Sequence, residues 1–493
     1  MRRAFRLLLS VGVALIASAG LASAKDSVTI GMVLEPPGLD PTTAPAAAIG
    51  EVTHYNIFEG LTKINEDFSV TPLLADKWDF SPDLKTLTFT LKPNVKFQDG
   101  EPFSSKDVKF SFERFAAKDS TNKDKGFFAS IESIETPDPM TVVLKFKEPS
   151  FEALFHLGMN TAVILDEKSA TNEATNPVGT GPYKLASWTR GASLTLDKWD
   201  GYRDPGKIAI VHAAFRFISD PSAAVAAMLA GDVDDFPVFA NYQAIDQFKT
   251  DPRFQVLIGG TEGKTILAMN NKKKPLDDLK VRQAIAYAID RKAIIDGAEN
   301  GLGAPIGSHL TPNDPGYVDL TGMYPHDPAK AKELLKEAGV TTPLDLGLIL
   351  PPPPYARQGG QIIAAELAEV GINAKIQEVE WAQWLSGVYK DHNYDLTIIS
   401  HVEPLDIGIY ANPNYYFQYD SPAFQAIYAK VTSVPDLEAY KAALVEAQKK
   451  IAEDCVNAFL FQLANVTIAN AKLEGVWKNA PIFVNDLSAM SWK

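Results

Sequence analysis

Apolar and polar positions change period along the chain. Thr86-Leu87-Thr88-Phe89-Thr90-Leu91 alternates with period two, and so does 141–146, where Val142, Leu144 and Phe146 share a face; both runs predict half-buried strands. Short apolar runs at 28–33, 208–218 and 265–270 predict further strands. Elsewhere the spacing is helical. Ser104 and Asp107 form a capping-box pattern that opens a helix to about Phe115. Asp220-Pro221-Ser222 caps an alanine-rich helix that stops at Gly231, and Asp277 or Asp278 caps one whose Val281, Ile285 and Ile289 stand four apart. A helix is also expected over 47–61. In the second half, helices at 327–338, 356–370 and 436–453 alternate with strands at 372–379, 394–400 and 458–469. Gly339 and Gly371 stand where a left-handed C-cap favours glycine. Residues 61–177 thus read as a small α+β unit, and the later alternation as an α/β domain with a largely parallel sheet.

Composition narrows this picture. The 493 residues, 46% apolar and 22% charged, are those of a globular chain of two to four domains. The 61 acidic against 47 basic side chains, net −14, argue against nucleic acid or anionic membrane as partners. The one cysteine, Cys455, excludes an intramolecular disulfide and reads as a buried structural thiol. Arg2, Arg3 and Arg6, an apolar run from Leu7 to about Leu21, and Ala22-Ser23-Ala24 read as a secretory signal peptide over 1–24. Lys25, not cysteine, follows, so an exported, unanchored, periplasmic protein is expected.

A search for catalytic chemistry finds no Gly-x-Ser-x-Gly, no His-Glu-x-x-His and no phosphate loop. Gly301, Gly303 and Gly307 miss the dinucleotide fingerprint by one residue. The seven histidines include no pair at helical spacing, so neither a metal site nor a cofactor is expected.

Five blocks are specific. They are Tyr55-Asn56-Ile57-Phe58-Glu59-Gly60-Leu61; Val95-Lys96-Phe97-Gln98-Asp99-Gly100 with Asp107-Val108-Lys109-Phe110-Ser111; Pro177-Val178-Gly179-Thr180-Gly181-Pro182-Tyr183; Asp220-Pro221 through Gly231 and Asp234; and Val281-Arg282-Gln283-Ala284 with Tyr287-Ala288-Ile289-Asp290. Together they resemble the family 5 extracellular solute-binding proteins, which include the dipeptide, oligopeptide and nickel receptors of ABC importers. The resemblance implies a non-enzymatic α/β receptor of two lobes plus an additional α+β domain. Lobe I would comprise 25–60, 178–269 and 465–493, the extra domain 61–177, and lobe III 270–464. Asn270, Asn271, Ala464 and Asn465 are the hinge candidates. A monomer that holds a small-molecule ligand between its lobes and delivers it to an ABC permease is expected.

The same resemblance suggests site residues. Glu403 falls at or beside the aspartate that meets the ligand ammonium in dipeptide receptors, with Asp406 close behind. In the loop Leu350-Pro351-Pro352-Pro353-Pro354-Tyr355-Ala356-Arg357, proline stands where dipeptide receptors carry an arginine, and Arg357 lies just beyond it. Trp381, Trp384, Tyr415, Tyr416 and Phe417 offer ring faces, while Glu35 and Gly38 leave the first strand where the family approaches ligand backbone. Acids with rings suggest an amino-bearing solute, peptide or peptide-like. A nickel-chelate or oligosaccharide receptor, a sensor on the same fold, and an exported hydrolase are the alternatives.

Overall fold

The computed structural model describes residues 25–44, 46–434 and 437–493; the segment 1–24, expected to be a signal peptide, and residue 436 lie outside the described residues. One large mixed sheet runs through the molecule. Its hydrogen-bonded order is Ile372–Glu378, Leu344–Leu350, Leu396–His401, Phe254–Met269, Asn457–Asn470, Asp235–Phe236, Ser27–Met32, His212–Phe217, Ser193–Lys198 and Tyr183–Thr189. The expectation of a largely parallel sheet needs correcting. Leu344–Leu350 runs parallel to both its neighbours, and so does Ser27–Met32, but every pairing of Phe254–Met269 and Asn457–Asn470 is antiparallel. The reason is topological: one of these crossing strands carries the chain from lobe I into lobe III and the other brings it back.

The first crossing strand begins at Phe254, not near residue 265. Its centre, Gly259-Gly260-Thr261-Glu262-Gly263-Lys264, breaks the apolar pattern and so hides the strand from a periodicity reading. The register slips there, between the Gly260–Ala464 and Lys264–Gln462 pairs. Glycine is required for close approach: a Cβ on Gly259 would lie 2.1 Å from the Lys478 carbonyl oxygen.

Residues 61–177 contain a separate four-stranded antiparallel sheet, in the order Ala75–Phe80, Thr86–Leu91, Thr141–Phe146, Ile131–Asp138. The helix Ser105–Ala116 packs on it and starts as expected, with Ser104 N–H donating to Asp107 Oδ2 at 2.7 Å. Phe112, Phe115 and Phe128 are buried in a core continuous with that of lobe I.

The helix expected over 47–61 stops at Thr53. Tyr55 turns left-handed (φ 62°), and the next carbonyls face another segment instead of a further helical turn. Gly181 N–H donates to Ile57 O at 2.9 Å and Tyr183 N–H to Asn56 O at 2.8 Å. A Cβ on Gly179 would lie 1.9 Å from Ile57 O. The Gln98 side chain donates to the Gly181 and Tyr183 carbonyls. Three of the sequence blocks are therefore one docking surface. Buried Glu59 fastens it: Arg203 Nη1 and Nη2 each donate to its carboxylate at 2.7 Å, and Thr180 Oγ1 and Tyr202 OH also donate. Glu59→Gln leaves the buried guanidinium half-answered and should lower stability by about 3–5 kcal/mol, measured by denaturant unfolding.

Candidate functional site

A cleft runs along the inner wall of lobe I and ends against lobe III. Its inner part is a cavity of about 370 Å³ lined by Met32, Val33 and Leu34 at the end of the first strand, by Pro237 and Val238, and by Trp477 and the segment 479–486. It passes Ala47, Ile482 and Phe483 into a second space, where Lys123, Asp124, Phe155 and His156 of the extra domain meet Val402-Glu403-Pro404 of lobe III. Leu34, Val238 and Phe483 keep 66%, 48% and 46% of their surface exposed here. Large apolar side chains left open on one concave wall are the usual mark of a ligand surface.

The inner cavity is acidic. Glu51, Asp235 and Asp486 line it, and no lysine, arginine or histidine is among its described lining residues. Asp486 is answered by Lys63 and Ser488. Asp235 is fully buried and neither of its oxygens has a hydrogen-bond partner. Burial, reinforced by neighbouring Asp234, pushes its carboxyl up to about 8. Burial pushes Glu51 up to about 7.

At the other end of the cleft, the Glu403 carboxylate is exposed, with Lys123 Nζ at 3.6 Å. Asp406 does not join it. Its carboxylate is buried and accepts from Lys264 Nζ at 2.9 Å and His309 Nε2 at 3.1 Å, with His401 Nδ1 at 3.7 Å. The Lys264 ammonium holds Asp406 well below the usual carboxylate range despite its burial. The expectation that Asp406 meets a ligand is therefore corrected: its charge is already spent on a buried lysine. Lys264 also donates to the Glu403 carbonyl at 2.6 Å and lies 3.9 Å from Glu262. Sequence reading missed Lys264, since a lysine beside Gly263 looks like a turn residue. His309, His401 and Asp406 bring ligating atoms within 4.8 Å of one another, but Tyr410 and Tyr416 hydroxyls bond the two rings, and burial pushes His401 down to about 3.

The remaining candidates scatter. Tyr416 and Phe417 are core residues, and Trp384 is buried with Nε1 donating to Thr397 Oγ1 at 3.0 Å; Tyr415 is half-buried and Trp381 exposed. Arg357 Nη2 reaches Glu380 Oε1 at 3.3 Å and Nε reaches Glu378 Oε2 at 3.5 Å. Glu35 accepts from Trp188 Nε1 and Gly191 N–H, both at 2.9 Å, pinning its own loop. Gly38 packs on Ala174. Asn270 and Asn271 lie beyond the far end of the first crossing strand, where their side chains bond backbone carbonyls of lobe III. Ala464 and Asn465 sit at the register slip, and Asn465 lines the inner cavity.

The family model for bacterial extracellular solute-binding proteins, family 5 (middle), matches residues 69–419. The chain belongs to this family. It is 33% identical to the dipeptide-binding protein of Escherichia coli K12 over 347 residues, 64% of each chain. It is 32% identical to a putative ABC transporter peptide-binding protein of Brucella ovis over 394 residues, 76% of this chain and 73% of the relative. Among solved structures, the binding protein AgaA from A. tumefaciens R10 in complex with agropinic acid superposes with a TM-score of 0.77 at 29% identity, over 95% of this chain and 99% of that one. HbpA2 from Haemophilus parasuis, at 23% identity and TM-score 0.86 over 95% and 100%, shares the two-lobe fold.

Two expectations follow from this geometry. Asp406→Asn strands the Lys264 charge and should cost about 3–5 kcal/mol of stability, read as a lowered melting temperature. Asp235 keeps its proton in the folded protein up to about pH 8 but loses it near pH 4 when unfolded, so this group lowers stability as pH rises across that window. Asp235→Asn removes that term. Its melting temperature relative to wild type should rise between about pH 5 and about pH 8.

Proposed function

We propose that this protein is the substrate-binding component of an ABC importer. It is exported to the periplasm, where it captures a peptide or peptide-like, amino-bearing solute between its lobes and delivers it to a permease in the inner membrane. The observation that carries the reading is Glu403, an exposed carboxylate held at the lobe III end of a cleft whose other wall is apolar and aromatic. Such a carboxylate suits a ligand ammonium that loses its water when the cleft closes. The name of one relative, dipeptide-binding, supports the same class.

The carboxylate end of the ligand meets a different partner here. Arg357 is engaged by Glu378 and Glu380. Lys123 from the extra domain is the cation at hand, and a ligand ammonium entering at Glu403 frees it for a ligand carboxylate. Closure would turn about the register slip, between the Gly260–Ala464 and Lys264–Gln462 pairs.

Titration calorimetry with Ala-Phe and its N-acetylated form tests this. Wild type should bind Ala-Phe and reject the acetylated peptide, and Glu403→Gln should weaken Ala-Phe binding by roughly tenfold to a hundredfold. Equal binding of both peptides with Glu403→Gln silent, or binding of neutral oligosaccharides alone, would overturn the reading.

A further inference from the structure

The strand Asp235–Phe236 is preceded by a second aspartate, and the two acids live differently. Asp234 accepts from Lys25 Nζ at 2.6 Å and from Thr29 N–H at 2.9 Å. Asp235, next in the chain and on the opposite face, accepts nothing and lines the lobe I cavity. A buried carboxyl without a partner costs free energy and stabilises nothing in the empty protein. Its backbone pairs with Ile30 and Ala469, positions that an apolar side chain in its place would suit.

The rest of the cavity has a consistent chemistry. Met32, Val33, Val238 and Ile482 supply apolar walls, and Trp477 and Phe483 supply rings. Its volume falls in the usual small-molecule range of about 300–1,000 Å³. Glu51 is the second carboxyl without a side-chain hydrogen bond, while Asp486 is answered by Lys63. Among the described residues, no cation reaches Asp235 or Glu51.

We infer that this cavity is a second subsite, which takes an aliphatic arm of the ligand ending in a cationic nitrogen, a lysyl, arginyl or aminoalkyl group, with Asp235 and Glu51 as its counter-charges. The inference rests on the cleft being the ligand site. The apolar walls and rings hold the stem, ring faces favour a cation, and the two carboxyls supply the charge that a buried cation must meet. A purely apolar arm would leave both acids stranded in a still drier site. An anionic arm would be repelled by both.

The groups around Asp235 set its titration: Asp234, turned to Lys25; Glu51; and Asp486, turned to Lys63. In the empty cavity Asp235 keeps its proton near neutrality, so an arriving cation should expel it. Binding of a cation-tipped ligand then releases a proton that a neutral isostere does not.

The test is titration calorimetry of Ala-Lys against Ala-norleucine, run in two buffers of different ionisation enthalpy. Wild type should prefer Ala-Lys by roughly tenfold or more and release more protons with it. Asp235→Asn and Glu51→Gln should each shrink that preference, and a cooperative thermal unfolding transition for each variant shows that it folds. Equal affinities in wild type, or a preference that survives Asp235→Asn, overturns the subsite and leaves the peptide-receptor reading standing. If neither dipeptide binds, that reading fails by itself, and agmatine alone decides the subsite. Thermal stabilisation of wild type but not of Asp235→Asn supports it, and the same response in both overturns it.

Discussion

Lys264 is buried on the strand that joins the two lobes, and the loop that carries Glu403 is fastened to it. One ammonium meets the Asp406 carboxylate and the Glu403 carbonyl, and lies near Glu262 on its own strand. A buried charge holds its partners in one arrangement, because any rearrangement that unpairs it is costly. The position of Glu403 at the cleft is thereby tied to the register of the crossing strands. That register slips just ahead of Lys264, where Gly259, Gly260 and Gly263 let the backbone pass close to its neighbours. The segment proposed as the hinge and the segment that anchors the Glu403 loop are thus a few residues apart.

The rigid parts of the molecule lie on either side of this joint. In lobe I and the extra domain, the Glu59–Arg203 pair and the glycine-rich segment 179–181 weld two domains into one continuous core. In lobe III, the ring cluster of Tyr394, Tyr410, Tyr416 and Phe417 is packed under the same loop that presents Glu403. The cleft lies between bodies that are each well packed, which suits the proposed closure of lobes around a ligand.

Much of the fold was legible in the sequence, for physical reasons. Ser104 and Asp220 cap the helices they were expected to cap, and Asp278 is the capping residue of the pair 277–278, because a side-chain acceptor beside free backbone N–H groups is a local signal; Asp327, read as the first residue of its helix, is instead its cap. Gly339 and Gly371 adopt the left-handed backbone their positions suggest. The early end of the helix at Thr53 was not legible, since the Asn56 and Ile57 carbonyls are claimed by residues more than a hundred positions away. The same holds for the site. The proposed role of Glu403 was reachable by resemblance, but Asp406 could not be told from it, because only the fold shows Lys264 beneath it. Asp235 gave no signal, since one acid in Asp234-Asp235 looks like the other until the sheet turns them to opposite faces.

The central claim is that one ligand is held by both lobes and draws them together about the crossing strands. Small-angle X-ray scattering with and without saturating Ala-Lys tests it most directly. The account predicts that the radius of gyration falls when the site fills, and that Glu403→Gln, at equal dipeptide concentration, shows less of that fall. An unchanged radius of gyration with calorimetry showing the site saturated would contradict it.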